Sequence, residues 1–237
     1  MATVVIQVVV CALLGYLIGS INLSYFLSKK RGYDIREHGS GNAGASNALI
    51  TMGKKTGVIV ALVDIFKAYI AVKLAIAIFP GLVPAGAIAS TSVILGHIFP
   101  FYMGFHGGKG FASLGGSILA LDYKLFFILL LFAVFIVFVT DYICFAPITC
   151  SVIFPAVYGI THKNIYISLI LYLATVCIIL RHIENLKRIN EGQELHFSFL
   201  WNRKAEAERL GIENDDGENY PFEYDEEQKI NRNKKGV

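Results

Sequence analysis

Charge is what this sequence has least of. Residues 1–28 hold no Lys, Arg, Asp or Glu, and neither do residues 125–140 (LFFILLLFAVFIVFVT). Charged residues make up 16% of the chain and hydrophobic ones 55%, where soluble domains average about 25% and about 45–50%. With a mean hydropathy of +0.57, so segregated a distribution excludes a water-soluble globule and indicates an integral membrane protein. The first stretch has no basic start and no small-residue cleavage site, and it is too long for the apolar part of a secretory leader. It is expected to remain as a first span.

Cysteine chemistry is missing too. Cys11, Cys144, Cys150 and Cys177 all fall in apolar runs and form no C-x-x-C pair, which excludes a disulfide framework and a cysteine zinc site and leaves them as packing residues. No tight cluster of His and carboxylates has ligand spacing, so no metal is expected. No histidine is followed by Asp five positions later, and no G-x-S-x-G elbow is present. A Walker A loop is excluded because Met103 and Gly110 stand where its first Gly and its Ser/Thr belong. The sequence pI near 8.6 is too modest to suggest nucleic acid.

What is present is a series of apolar runs near 4–28, 56–79, 83–103, 111–121, 125–141, 142–160 and 165–181. They predict an all-α, polytopic membrane bundle of about seven spans, although several are shorter than the ~20 residues a spanning helix needs. Loop charge supports an odd number. With seven spans, Lys29, Lys30, Arg31, Arg36, Lys54, Lys55, Lys109, Arg181 and the basic residues of the tail share one side, against Lys124 and Lys163 on the other. An excess of Lys and Arg marks the cytoplasmic side, which places the N-terminus outside and the C-terminus inside. The domain plan is a membrane domain over 1–194 and a cytoplasmic charged tail over 195–237, helical near Trp201–Leu210 and disordered from Glu213 to Lys235.

Two glycine-rich loops lie on that cytoplasmic side, Gly39-Ser40-Gly41-Asn42-Ala43-Gly44-Ala45-Ser46-Asn47 and Gly104-Phe105-His106-Gly107-Gly108-Lys109-Gly110. Glycine adopts positive φ without steric cost, so such runs can aim several backbone N–H groups at one anion. A third polar cluster, Arg181-His182 with Glu184, Asn185, Lys187, Arg188 and Glu194, falls on the same side. Together these offer N–H nests, hydroxyls, amides, cations and a histidine, an inventory suited to binding phosphate and transferring a group to or from an anionic substrate. Within the second span, Asp64 and Lys67 share a helix face at i,i+3. They read as an ion pair bracing the bundle, with a direct substrate role as the alternative.

Three blocks then carry a resemblance: Asp34-Ile35-Arg36 with GSGNAGASN and Gly53-Lys54-Lys55; Gly96-His97-Ile98-Phe99-Pro100 with GFHGGKG; and Arg181-His182 through Glu184-Asn185, Arg188 and Glu194. In that order and spacing, from about Gly15 to Glu194, the chain resembles the bacterial acyl-phosphate:glycerol-3-phosphate acyltransferases. The resemblance implies a seven-helix bundle of the bacterial cell (inner) membrane. It also implies transfer of a fatty acyl group from acyl phosphate to the sn-1 hydroxyl of glycerol 3-phosphate, giving lysophosphatidate and phosphate without a cofactor. It implies catalytic roles for Ser40, Lys109, His182 and Asn185. Phosphate contacts would come from Gly39, Gly41, Asn42, Gly44, Ser46, Asn47, Gly107, Gly108, Gly110 and Arg181. Implied partners are the two substrates, membrane lipid and the enzyme that makes the acyl phosphate. Three residues depart from the family pattern: Ile50 stands where Arg is expected, and Asp141 and Pro147 where relatives tend to carry a basic residue and Ser. The tail beyond Glu194 is extra. These departures leave room for a weakened paralogue. The competing class is a transporter or channel for an anionic solute, which would be expected to show related halves around a midplane site; no internal repeat is found.

Overall fold

The computed structural model describes residues 1–210, all helix and connecting loop. The helices are α1 (Ala2–Ser20), α2 (Leu23–Lys30), α3 (Ala45–Met52), α4 (Lys54–Ile78), α5 (Ala85–Ile98), α6 (Phe111–Leu121), α7 (Tyr123–Thr140), α8 (Phe145–Thr161), α9 (Ile165–Asn190) and α10 (Arg203–Leu210). Seven of these, α1 and α4 to α9, match the seven predicted spans. In lipid the backbone must satisfy its own hydrogen bonds, and helices do so within one segment. The stretches 2–30, 85–103, 123–140 and 165–190 are each long and apolar enough to cross a membrane. α4 is longer than most but carries Asp64, Lys67 and Lys73.

α5 lies at the centre. Ten of its buried positions run from Gly86 to Ile98 and include Ala87, Ala89, Ser90 and Gly96. Small side chains let backbones close up where lipid offers no hydrophobic drive to bring helices together. A Cβ at Gly19 would collide with the Val93 carbonyl, and one at Gly96 with the Tyr16 carbonyl, so α1 and α5 meet nearly backbone to backbone. α4 and α6 meet the same way where Gly116 faces the Ile65 carbonyl. α8 and α9 complete the ring, and α7 packs on α6 and α8 with only Leu125, Leu129 and Ala133 buried. The outward residues are the large apolar ones, Phe127, Ile128, Leu131, Phe135 and Phe138 on α7 among them. This inverts the soluble pattern and gives lipid its contact surface.

Two expected spans differ in detail, each through one residue. The run 4–28 is broken at Ile21-Asn22, because the Asn22 side chain caps α2 by accepting from Tyr25 N and also donates to the Ala43 carbonyl. Asn competes with the helix backbone in this way and prefers caps. The run 83–103 ends its α-helix at Ile98, just before Phe99-Pro100, since proline disfavours helix in the residue before it. The first glycine-rich stretch, read as a loop, ends in α3, with Gly44 as its N-cap and Ser46 and Asn47 in its first turn. Of the tail, residues 197–200 form a 3-10 turn and 203–210 form α10, close to the predicted helix. The expected disorder over 213–235 lies outside the described residues.

Candidate active site

Chain order alternates the seven long helices, so the loops 31–53, 104–110, 141–144 and 191–202 gather at one end of the bundle. One hydrogen bond ties the first two loops together. Arg36 donates to the Met103 carbonyl and forms a bidentate pair with Asp34, which Lys29 also approaches at 3.1 Å. The Arg36 guanidinium holds the Asp34 carboxyl well below its usual range. Asn47 is the internal clasp of the first loop: its amide donates to the Ile35 and His38 carbonyls at 2.9 and 3.0 Å, and its oxygen accepts from Ser40 N at 2.8 Å. The second loop rests on α5. Gly107 N donates to the Ile98 carbonyl and Gly108 N to the His97 carbonyl, and a Cβ at Gly108 would strike the His97 ring.

These contacts shape a cavity of about 480 Å³. Nine predicted site residues line it: Gly39, Ser40, Asn42, Gly44, Ser46, Lys109, Gly110, His182 and Asn185. Five do not. Gly107 and Gly108 have committed their N–H groups to α5, Gly41 gives its own to the His38 carbonyl, and Asn47 is spent on the loop. Arg181 precedes His182 by one residue, about 100° around the helix, and stays off the wall. Ile50, the expected position of a family arginine, faces the cavity from α3 and is 7% exposed. Pro147 lines it as well.

The polar wall forms one network. Lys109 Nζ donates to Asn185 Oδ1, Asn185 Nδ2 donates to Glu194, and Glu194 pairs with Arg188 Nε at 2.7 Å. Arg188 and Glu194 both line the cavity. They stood in the third sequence block without being assigned a role. Burial, reinforced by the neighbouring Arg188 charge, lowers the Lys109 pKa to about 8. His182 Nδ1 faces the Ile178 carbonyl at 2.7 Å. A carbonyl can only accept, so Nδ1 carries the proton and Nε2 is left as the acceptor in the neutral ring. The Asn42 side-chain oxygen is buried without a hydrogen-bond partner in the protein; as an acceptor it suits a hydroxyl donor. The amino-terminal ends of α3 and α6 both open on the cavity, through Gly44, Ala45 and Ser46 and through Gly110, Phe111 and Ala112. Helix N-termini carry partial positive charge and unpaired N–H groups, which favour anions.

Away from this head, the cavity turns apolar along Ile65, Leu114, Ile118, Phe126, Leu129 and Ala133 of α4, α6 and α7. At its floor the expected Asp64–Lys67 pair is formed at 2.7 Å, with His97 as a third member: Lys67 also bonds His97 Nδ1 and the Ile21 carbonyl. Asp64 and His97 reach the cavity wall, whereas Lys67 does not. Among the described residues no group of three or more His, Cys, Asp or Glu side chains is arranged to hold a metal.

Residues 9–192 match a family model described as glycerol-3-phosphate acyltransferase. The chain is 35% identical over 208 residues to "Glycerol-3-phosphate acyltransferase 1" of Oceanobacillus iheyensis, covering 83% of this chain and 98% of that one. It is 36% identical over 191 residues to the glycerol-3-phosphate acyltransferase of Bacillus subtilis, covering 79% and 96%. Its fold is similar to the crystal structure of PlsY (YgiH), an integral membrane glycerol 3-phosphate acyltransferase, in its glycerol 3-phosphate form. The TM-score is 0.75 at 30% identity, over 81% of this chain and 96% of that one. The lysophosphatidic acid form of that protein superposes with a TM-score of 0.72.

Proposed function

Since the chain belongs to the glycerol-3-phosphate acyltransferase family, we propose that it acylates the sn-1 hydroxyl of glycerol 3-phosphate from acyl phosphate, releasing lysophosphatidate and phosphate. The observation that carries this reading is the shape of the cavity: an anion-binding head, built from two helix N-termini, Lys109 and Arg188, continuous with an apolar groove between α4, α6 and α7. That pairing fits a donor with a small phosphate head and a long hydrocarbon chain. Ser40, Ser46 and the Asn42 amide would hold a phosphate, and Lys109 would neutralise it. The acceptor hydroxyl would donate to His182 Nε2 while its oxygen attacks the acyl carbonyl. The new ester C–O bond forms as the anhydride C–O bond to phosphate breaks. The mixed anhydride is already activated, so the protein's task is to position the two substrates and offset charge. Apart from the Asp64–Lys67–His97 group at the cavity floor, the polar groups gather at one end of the bundle, which suits chemistry on a lipid-soluble donor.

We place the protein in the bacterial cell membrane with the cavity head at the cytoplasmic face, where water-soluble glycerol 3-phosphate would enter. The deciding measurement is product formation by purified protein in detergent or nanodiscs, with acyl phosphate, acyl-CoA and acyl carrier protein offered in parallel. Lysophosphatidate from acyl phosphate is expected. Robust product from acyl-CoA with none from acyl phosphate would overturn the donor assignment.

A further inference from the structure

The family model ends at residue 192, yet the chain does not leave the bundle there. Residues 195–210 cross the open end of the cavity and are fastened on both sides. On the α7–α8 side the anchor is Asp141. Its φ of 60° closes α7 in the left-handed region, which Asp tolerates better than most residues. Its carboxylate accepts from Ser198 N and Ser198 Oγ at 2.8 and 2.7 Å, and its carbonyl accepts from Phe197 N. Next to it, His196 sits between Tyr142 Oη and Glu206. On the α9 side, Arg209 donates to the carbonyls of Gly192 and Glu194 and pairs with the buried Glu206. Lys54 of α4 reaches the Leu200 carbonyl from across the cavity. Asp141 and the segment beyond the family match are therefore two halves of one joint.

Once fastened, the strap supplies apolar wall to the same cavity. Leu195, Phe197, Phe199, Leu200 and Leu210 line it, and Phe199 is 4% exposed. Outside, Trp201 stacks on the lipid-facing Phe138 at 6.3 Å and meets Phe197 at 5.3 Å. A side chain pressed between a substrate groove and its anchor decides which ligand shapes fit. We infer that residues 195–200 form a wall of the acyl-donor groove and set which acyl chains this enzyme accepts, with Phe199 the chief specificity-determining residue. The inference rests on the acyl-phosphate reading above.

The test compares wild type, Phe199→Ala, Phe199→Leu and Leu200→Ala across acyl phosphates from short to long, straight and branched. Each added or missing methylene in an apolar pocket changes kcat/KM by about tenfold or more. Phe199→Ala should thus change the ratio of kcat/KM between long or branched and short straight donors by about tenfold, through donor KM. The KM for glycerol 3-phosphate should stay within about twofold. Trp201 is the chain's only tryptophan, so its emission reports directly whether each variant keeps the strap seated. Asp141→Ala should shift that emission to the red and reproduce the altered profile. An unchanged donor profile in Phe199→Ala, Phe199→Leu and Leu200→Ala, or a uniform fall for every donor, would overturn the strap's role while leaving the acyl-phosphate reading intact. A wild type that turns over no acyl phosphate would sink that reading and the inference with it.

Discussion

Lys109 shows how much a single side chain here depends on its surroundings. It is held away from water beside Arg188, and its pKa falls to about 8 from an ordinary value of 10.5. Below about pH 8 it is a cation able to neutralise a phosphate; above, it is a neutral amine. The kcat/KM for the acyl donor is expected to fall as pH rises through about 8, and Lys109→Arg should remove that limb because a guanidinium stays charged. A pH profile of both proteins checks this, and a limb that survives in the arginine variant would assign it to another group. The sign for stability is opposite. The unfolded chain holds this proton up to its higher pKa and the folded one does not. Between about 8 and 10.5, folding therefore gains from rising pH at this residue. Lys109 and His182, singled out from their motifs, both line the cavity. Gly107 and Gly108 show the limit of such reading, because a glycine run announces an unusual backbone without saying where its N–H groups point. Theirs point into α5.

Among the helices, close approach matters more than apolar bulk. α1 and α5 cross where glycine leaves room for the opposing backbone, and a methyl group at Gly19 would meet a carbonyl that has nowhere to move. Overpacking of this kind typically costs about 1–3 kcal/mol, more than the ~1 kcal/mol that alanine gains over glycine in helix propensity. Gly19→Ala should therefore lower thermal stability in detergent, whereas Gly81→Ala, with nothing within 4 Å of its would-be Cβ, should leave it nearly unchanged. Equal melting temperatures for the two variants would contradict the close crossing. The break at Asn22 belongs to this scale as well. Hydropathy alone reads through a single asparagine, but its amide reaches Ala43 and docks the first loop beside α2.

At the scale of the whole molecule, the seven long helices bring every loop of the cavity head to one end and leave Lys124 and Lys163 at the other. The chain carries net +3, with net −3 in the stretch after Asn185 and so an excess of basic residues before it. Such an excess on loops at one end is how topology is set, and it also suits anionic substrates and headgroups. Single cysteines placed in a variant lacking the four native ones should react with a membrane-impermeant reagent in intact cells at the N-terminus. They should not react in the 31–44 loop or after residue 200. A tail labelled from outside would refute this topology.

The amino-acid sequence by itself determined the class of the molecule: a membrane bundle, about seven crossings, three polar blocks on one side, and a family whose motifs occur here in order. These follow from periodicity, charge placement and local motif, all of which are properties of neighbours along the chain. Only the tertiary structure decided which members of those blocks face a common cavity. Nine of the assigned residues do, Arg181 does not, and Arg188 joins them from about two helical turns further on. It alone placed Ile50 on the cavity wall and His97 beside the Asp64–Lys67 pair. It alone showed that the segment after Glu194 is seated across the cavity on Asp141. Such contacts join residues 57 positions apart, and a pairing at that distance leaves no periodic trace in one chain.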